Sequence, residues 1–240
     1  GTGTLVGETR FLIQVGGLVD FGDAPDSYGT LLGSDGARHN LIENFYLGQG
    51  VDAEIEGQPT PDANGDGSTD DGIFIRTEDP SSSGSFLDWT LRDGINNEIY
   101  VTSKAQTGAT SFGFLDAWVD FDQNGIFESD EQIIVSVALT KDAVDPLGSP
   151  GGLGQLITLG DLPDGALTGD TYARFRLSST GGLTPTGLAE DGEVEDYLVT
   201  IGDPSVNPWH NGANPIAITV GDNNVTSADF LVLLEELRNR

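Results

Sequence analysis

The 240-residue chain carries 10 basic and 39 acidic side chains, a net charge of −29, which makes nucleic acid and anionic membrane poor partners through repulsion. At 37% hydrophobic residues it is not a disordered acidic tail, and no apolar run is long enough to span a bilayer. With 34 glycines and no cysteine, it suits a turn-rich fold that relies on core size, or on metals clasping its loops, instead of disulfides. No signal peptide begins at Gly1, so a mature product or an excised piece of something longer is expected.

Residues 1–17 hold one strand, over 10–15, bounded by glycines. Its stretch FLIQVGG resembles YLVTIGD at 197–203. In the next segment Asp20, Asp23 and Asp26 recur every three residues around Pro25. Pro and Gly rule out a continuous helix, so an ordered loop is expected. Its carboxylates either join a metal site or cap turns through backbone hydrogen bonds; taken alone, capping is the better reading. His39, beside Arg38, reads as structural, because no nucleophile or orienting partner for a base is identifiable.

DANGDGSTDDG, at 62–72, places Asp62, Asn64, Asp66, Ser68 and Asp70 at alternate positions of a calcium-type loop, with Gly67 at the turn. The twelfth position is Ile73, so Asp71 or a distant carboxylate must close it. Strands are expected over 86–91 and 98–103. DFDQNGIFESDE, at 120–131, then satisfies the calcium-loop pattern position by position. Asp120, Asp122 and Asn124 offer side-chain oxygens, Gly125 turns the chain, and Ile126 offers its carbonyl. Glu128 acts directly or through water, and Glu131 closes the site bidentately. The flanks alternate or are β-branched, which predicts a calcium-clasped turn between strands instead of a helix–loop–helix. The plain alternative is an acidic, solvated turn.

A further strand is expected over 155–159. TYARFRLS, at 171–178, sends Ala173, Phe175 and Leu177 one way and Tyr172, Arg174 and Arg176 the other. Those arginines read as partners for surplus carboxylates. Glu190, Asp191, Glu193, Glu195 and Asp196 precede a strand expected over 197–201, and repel one another unless cations intervene. Alternation separates Glu193 and Glu195 from Asp196. Asp20, Asp23, Asp191, Glu193, Glu195 and Asp196 are therefore candidates for further metal or ion-pair contacts.

DFGDAPDSYGT (20–30), GARH (36–39), VDAE (51–54), the DGD-rich loop, AWVDFDQNG (117–125), ARFRLS (173–178) and DGEVEDYLV (191–199) follow in order. This set closely resembles the GEVED domain of bacterial, planctomycete-like secreted and surface proteins. The resemblance covers 18–202 and implies an extracellular β-sandwich module with no catalytic residues to carry over. The tail, 203–240, resembles half of a type I dockerin repeat. Asp229 and Asp222 fit its loop, but Ile218 and Val220 stand where Asp or Asn belongs, so calcium is not expected there. A helix over 227–237 is expected, with Phe230, Leu233, Leu234 and Leu237 as an apolar stripe.

The expected fold is an all-β antiparallel sandwich, Greek-key or jelly-roll-like, with calcium loops and one C-terminal helix. Three parts are expected: residues 1–17, 18–202 and 203–240. The expected function is a non-catalytic, calcium-stabilised, extracellular structural or adhesion module at the cell surface. Its partners would be further copies of itself or another surface protein, engaged by strand addition through Phe11, Ile13 and Val15 or through the terminal helix. The alternative is a carbohydrate-binding or ligand-binding module of a degradative protein, using Trp89, Trp118 and Trp209. An enzyme with paired carboxylates is the weakest reading.

Overall fold

Short alternating runs punctuated by glycine become strands throughout residues 18–65, 71–77, 86–87, 89–92, 97–104, 113–139 and 154–202, the residues described by this computed structural model. They belong to the first of two units, Gly1–Ser205. The strand expected over 10–15, the loop residues Asp66, Ser68 and Asp70, Trp209 and the helix expected over 227–237 lie outside the described residues.

In chain order the strands are β1 (Val19–Phe21), β2 (Arg38–Asn40), β3 (Tyr46–Leu47), β4 (Ile73–Thr77), β5 (Phe86–Leu87), β6 (Thr90–Arg92) and β7 (Asn97–Val101). There follow β8 (Ser103–Lys104), β9 (Phe114–Val119), β10 (Gln132–Ala138), β11 (Gln155–Gly160), β12 (Gly169–Ser178), β13 (Leu188–Ala189) and β14 (Glu193–Gly202). Helical structure among the described residues is limited to three single 3₁₀ turns. A five-stranded sheet, β10-β9-β12-β14-β6, and a four-stranded sheet, β11-β7-β4-β5, enclose one core. Ladders are antiparallel except where β6 runs parallel to β14 and β13 parallel to β2. Leu115, Ala117, Val119, Phe175, Leu177, Val199 and Ile201 of the first sheet cluster with Ile73, Ile75, Ile99 and Val101 of the second. Burying each larger aliphatic side chain contributes roughly 1.5–3 kcal/mol. The fold is all-β and sandwich-like, as expected.

Three strands differ from their expected extents. The run at 86–91 is divided, β5 pairing with β4 and β6 with β14 in the other sheet. The run at 98–103 breaks at Thr102, whose N–H and carbonyl turn to Gly72 and Gly48. β14 begins at Glu193, so three of the five carboxylates read as preceding a strand, Glu193, Glu195 and Asp196, are inside it. They are tolerated there because each meets a protein donor, as described below.

β12 lies between β9 and β14, so both its edges are paired, and both its faces are buried as well. Ala173, Phe175 and Leu177 enter the core, while Arg174 and Arg176 point the other way and are 0% and 1% exposed. Their cover is the 20–40 segment, the three-stranded sheet β1-β2-β13 and the 179–192 loop. Trp118, named above for the carbohydrate-binding alternative, is also buried on this side, against Ala24, Tyr28 and Phe127. Trp89 is half-buried and stacks on Tyr197 at 4.0 Å.

Charged side chains survive here because every donor finds an acceptor. Arg174 stands directly opposite Asp196 and grips it bidentately, Nε and Nη2 each 2.7 Å from a carboxylate oxygen. Its Nη1 donates to the carbonyls of Tyr28, Gly29 and Pro185. Arg176 donates from Nε to His39 Nε2 at 3.0 Å, from Nη1 to the carbonyls of Thr184 and Thr186, and from Nη2 to those of Arg38 and Gly187. Burial, with Arg174 beside it, pushes Arg176 down to about 9.

Candidate metal centre

β9 delivers Asp120 to the end of the five-stranded sheet, where β12 fixes it: Asp120 N–H donates to the Tyr172 carbonyl, and Thr171 Oγ1 donates to the Asp120 carbonyl. The chain must then reverse into β10. Gly125 supplies the turn at φ +90°, with Gln123 at +56°. The turn folds its own polar groups inward. Asp120 Oδ2 accepts from Gly125 N–H at 2.9 Å and from the Tyr28 hydroxyl at 2.6 Å. Asp120 Oδ1 and Asp122 Oδ1 both accept from Asn124 N–H at 3.1 Å. Asn124 Oδ1 accepts from Ile126 N–H. Glu128 and Glu131 form a reciprocal capping box on the 3₁₀ turn Ser129–Glu131. Glu131 Oε1 also accepts from Phe121 N–H at 2.6 Å.

Carboxylate oxygens of Asp120, Asp122 and Glu131 thereby converge within 4.8 Å of one another. Burial pushes the Glu131 carboxyl up to about 7, since its charge is removed from water. Burial and the Asp120 charge raise the Tyr28 hydroxyl above its usual value. Glu128 Oε1 accepts from Asn124 Nδ2 at 2.7 Å, while Glu128 Oε2 is buried with no hydrogen-bond donor among the described residues. A groove of about 240 Å³ opens beside the turn, lined by Asp122, Glu128, Glu131 and residues 163–166. The donors are all oxygen and the carboxylates outnumber any local cation. That suits a hard divalent ion such as calcium.

The second loop repeats this local structure at Asp62-Ala63-Asn64-Gly65, matching Asp122-Gln123-Asn124-Gly125. In both turns Asn Nδ2 donates to the Asp two residues earlier, at 2.7 and 3.1 Å. In both, the intervening residue has positive φ, Ala63 at +44° and Gln123 at +56°. In both, the Gly N–H donates to a fully buried aspartate: Asp120 in the first turn, Asp23 in the second. Asp23 comes from a distant segment, so local spacing cannot find it. This frame makes Asp62 and Asn64 equivalent to Asp122 and Asn124, two positions later than spacing alone suggests. It also sets Asp71 six residues after Gly65, as Glu131 follows Gly125. Partial desolvation raises the Asp71 carboxyl above its usual value, although the residue is exposed overall.

The remaining candidate carboxylates engage protein donors. Asp20 accepts from Val194 N–H at 2.6 Å, and Asp191 from Ser179 N–H and hydroxyl. Glu193 accepts from Leu47 N–H, and Glu195 from Gly72 N–H and the Tyr197 hydroxyl. Asp196 holds Arg174 and also accepts from the N–H groups of Asp23 and Ala24. The contacts of Asp20, Glu193, Glu195 with Gly72, and Asp196 with Asp23 and Ala24 run between segments far apart in sequence, and they tie the separate motifs together. Residues 114–200 match the family model of the GEVED domain. The matched stretch runs from β9 into β14 and contains the 120–131 turn, both buried arginines and the EVED carboxylates. The GEVED match thus supports a small β-type module, and the upstream DFGDAPDSYG and GARH segments fold onto it through Tyr28, Gly29 and His39. No curated protein and no solved structure matches the chain.

Proposed function

We propose that the protein is a non-catalytic, calcium-stabilised structural or adhesion module of an extracellular surface protein. Asp120, Asp122, Asn124, Glu128, Glu131 and the Ile126 carbonyl would hold the ion. The observation that carries this reading is the convergence of Asp120, Asp122 and Glu131 beside a buried Glu128 oxygen that has no donor among the described residues. When bound, calcium neutralises these carboxylates and ties the turn together. The chain's own residues transmit that order: Tyr28 links Asp120 to the segment that Arg174 pins to β12. In the second loop, Asp23, Asp62, Asn64 and Asp71 form the corresponding set. Extracellular calcium is abundant enough for sites of modest affinity, typically about 10⁻⁴–10⁻³ M in such modules. The carbohydrate reading draws little support from Trp118, which is buried, or from Trp89, which is stacked on Tyr197.

Self-association by strand addition is part of the proposal. Among the described residues β10 and β11 stand at sheet edges, and β10 exposes Val135. An edge with unpaired backbone groups is a template for another strand, and residues 10–15 have the alternation to supply one. Deleting residues 1–17 should shift the particle size seen by light scattering in calcium; an unchanged size would overturn strand exchange.

Calcium binding itself is tested by melting curves in saturating calcium and in excess chelator. The wild type should melt higher in calcium, and Asp122→Ala and Glu131→Ala should each reduce the difference. Glu128→Gln should leave the calcium-free protein as stable as wild type while weakening calcium affinity. Identical wild-type curves with and without chelator, with calcium shown to be absent, would overturn the reading.

A further inference from the structure

His39 is 0% exposed on β2, and both ring nitrogens are committed. Arg176 Nε carries a proton and can only donate, so the His39 Nε2 facing it at 3.0 Å must be the lone-pair acceptor. The ring proton then sits on Nδ1, 2.7 Å from the Asp191 carbonyl, which accepts it. The pattern works only for a neutral imidazole. A second proton would place N–H against N–H between two cations, and Arg176 Nε would lose its acceptor inside the protein. The other Arg176 donors are already held by four carbonyls, so the guanidinium has no spare acceptor to turn to.

The contact also joins two separate parts of the fold. His39 lies in the three-stranded sheet β1-β2-β13, while Arg176 lies in β12 at the middle of the five-stranded sheet. From these contacts we propose that His39 is an acid-sensitive latch: its protonation releases the β1-β2-β13 cover from β12 before the sandwich itself unfolds.

The charged surroundings determine whether the ring resists the proton. Arg176 and, further off, Arg174 face it from β12, and both oppose protonation. Arg38, its neighbour on β2, turns its guanidinium away to Asp35 at 3.0 Å. Asp20, the cross-strand neighbour on β1, accepts from Val194 N–H. Asp196 on β14 is held by Arg174, and Asp116 on β9 accepts from the N–H groups of Ser136 and Leu183. Asp191 contributes its carbonyl to the ring and its carboxylate to Ser179. Burial and the two arginines therefore dominate, and they hold His39 well below its ordinary value of 6.5. For a base with a depressed value in the closed state, the latch is fully engaged above the ordinary value. It weakens as pH falls through the interval down to the depressed value.

The test is amide hydrogen exchange followed by NMR on the full chain in saturating calcium, from pH 7 downward, with the ring titration read in parallel. Wild type and His39→Gln are compared, because Gln is neutral and retains one donor and one acceptor. After correction for intrinsic rates, protection of the Arg38 and Leu41 amides should fall about tenfold per pH unit below roughly 6.5 in wild type. The core amides of β12 and β14 should hold, and His39→Gln should show no such dependence. Parallel loss in both proteins, or simultaneous loss in cover and core, would overturn the latch. If the Gln variant does not fold, the wild-type ring decides. Protonation coincident with opening of the cover supports the proposal, and protonation with the cover still protected overturns it.

Discussion

Arg174 and Arg176 are two residues apart and equally buried, yet they are neutralised differently. Arg174 has a carboxylate, Asp196, and Arg176 has four carbonyls and an imidazole. The alternation of TYARFRLS was enough to place both on the face opposite the core, and the surplus of carboxylates was enough to expect a partner. Neither the burial nor the carbonyl cage was legible, because the carbonyls come from residues 28–38 and 184–187. We expect Arg174→Ala to cost about 3–5 kcal/mol, because it strands a buried Asp196. Arg176→Lys should also destabilise, since an ammonium has three donors where five are used. Denaturant unfolding in saturating calcium measures both. Gly192, at φ +96°, shows the same tightness in the backbone: an added Cβ would collide with the Leu177 carbonyl. Gly192→Ala should therefore destabilise the start of β14 by more than the usual glycine-to-alanine effect, in the same assay.

β10 illustrates what the strand signal conveys and what it omits. Its β-branched run correctly implied a strand after the acidic turn, yet its pairing with β9 slips twice between Gln132 and Val137. Ser136 adopts φ +46° there, and its N–H donates to Asp116 Oδ1 at 2.8 Å. A buried carboxylate on the neighbouring strand thus sets the bulge, and no pattern within β10 records it. The second calcium-type loop failed to declare its frame for the same reason: the buried aspartate that receives its glycine N–H is Asp23, from a distant segment. Asp116→Ala leaves Ser136 and Leu183 donors without their acceptor. Both donors are partly buried, so the substitution should cost at most about 1–3 kcal/mol per donor left unsatisfied and raise exchange selectively in β10. Uniform loosening of the five-stranded sheet would argue that Asp116 supports the core generally instead of the bulge.

For the whole molecule the question is how a chain of net charge −29 stays folded. Self-repulsion opposes compactness, and two kinds of cation can relieve it. Monovalent ions screen every carboxylate a little, with a Debye length of about 10 Å at 0.1 M. A calcium ion bound at 120–131, as proposed, would act at one place and saturate, adding roughly 2.7 kcal/mol when calcium exceeds its dissociation constant a hundredfold. The two mechanisms separate when melting temperature is followed against sodium chloride and calcium chloride at matched ionic strength. Sodium chloride should raise it gradually in wild type and Asp122→Ala alike. Calcium should add a further, saturable rise that Asp122→Ala loses. Magnesium should do less than calcium, because it demands near-ideal octahedral geometry and gives up water reluctantly. A calcium response no larger than sodium's at equal ionic strength, or one that survives intact in Asp122→Ala, would mean that the acidic turn stabilises this protein only through diffuse screening.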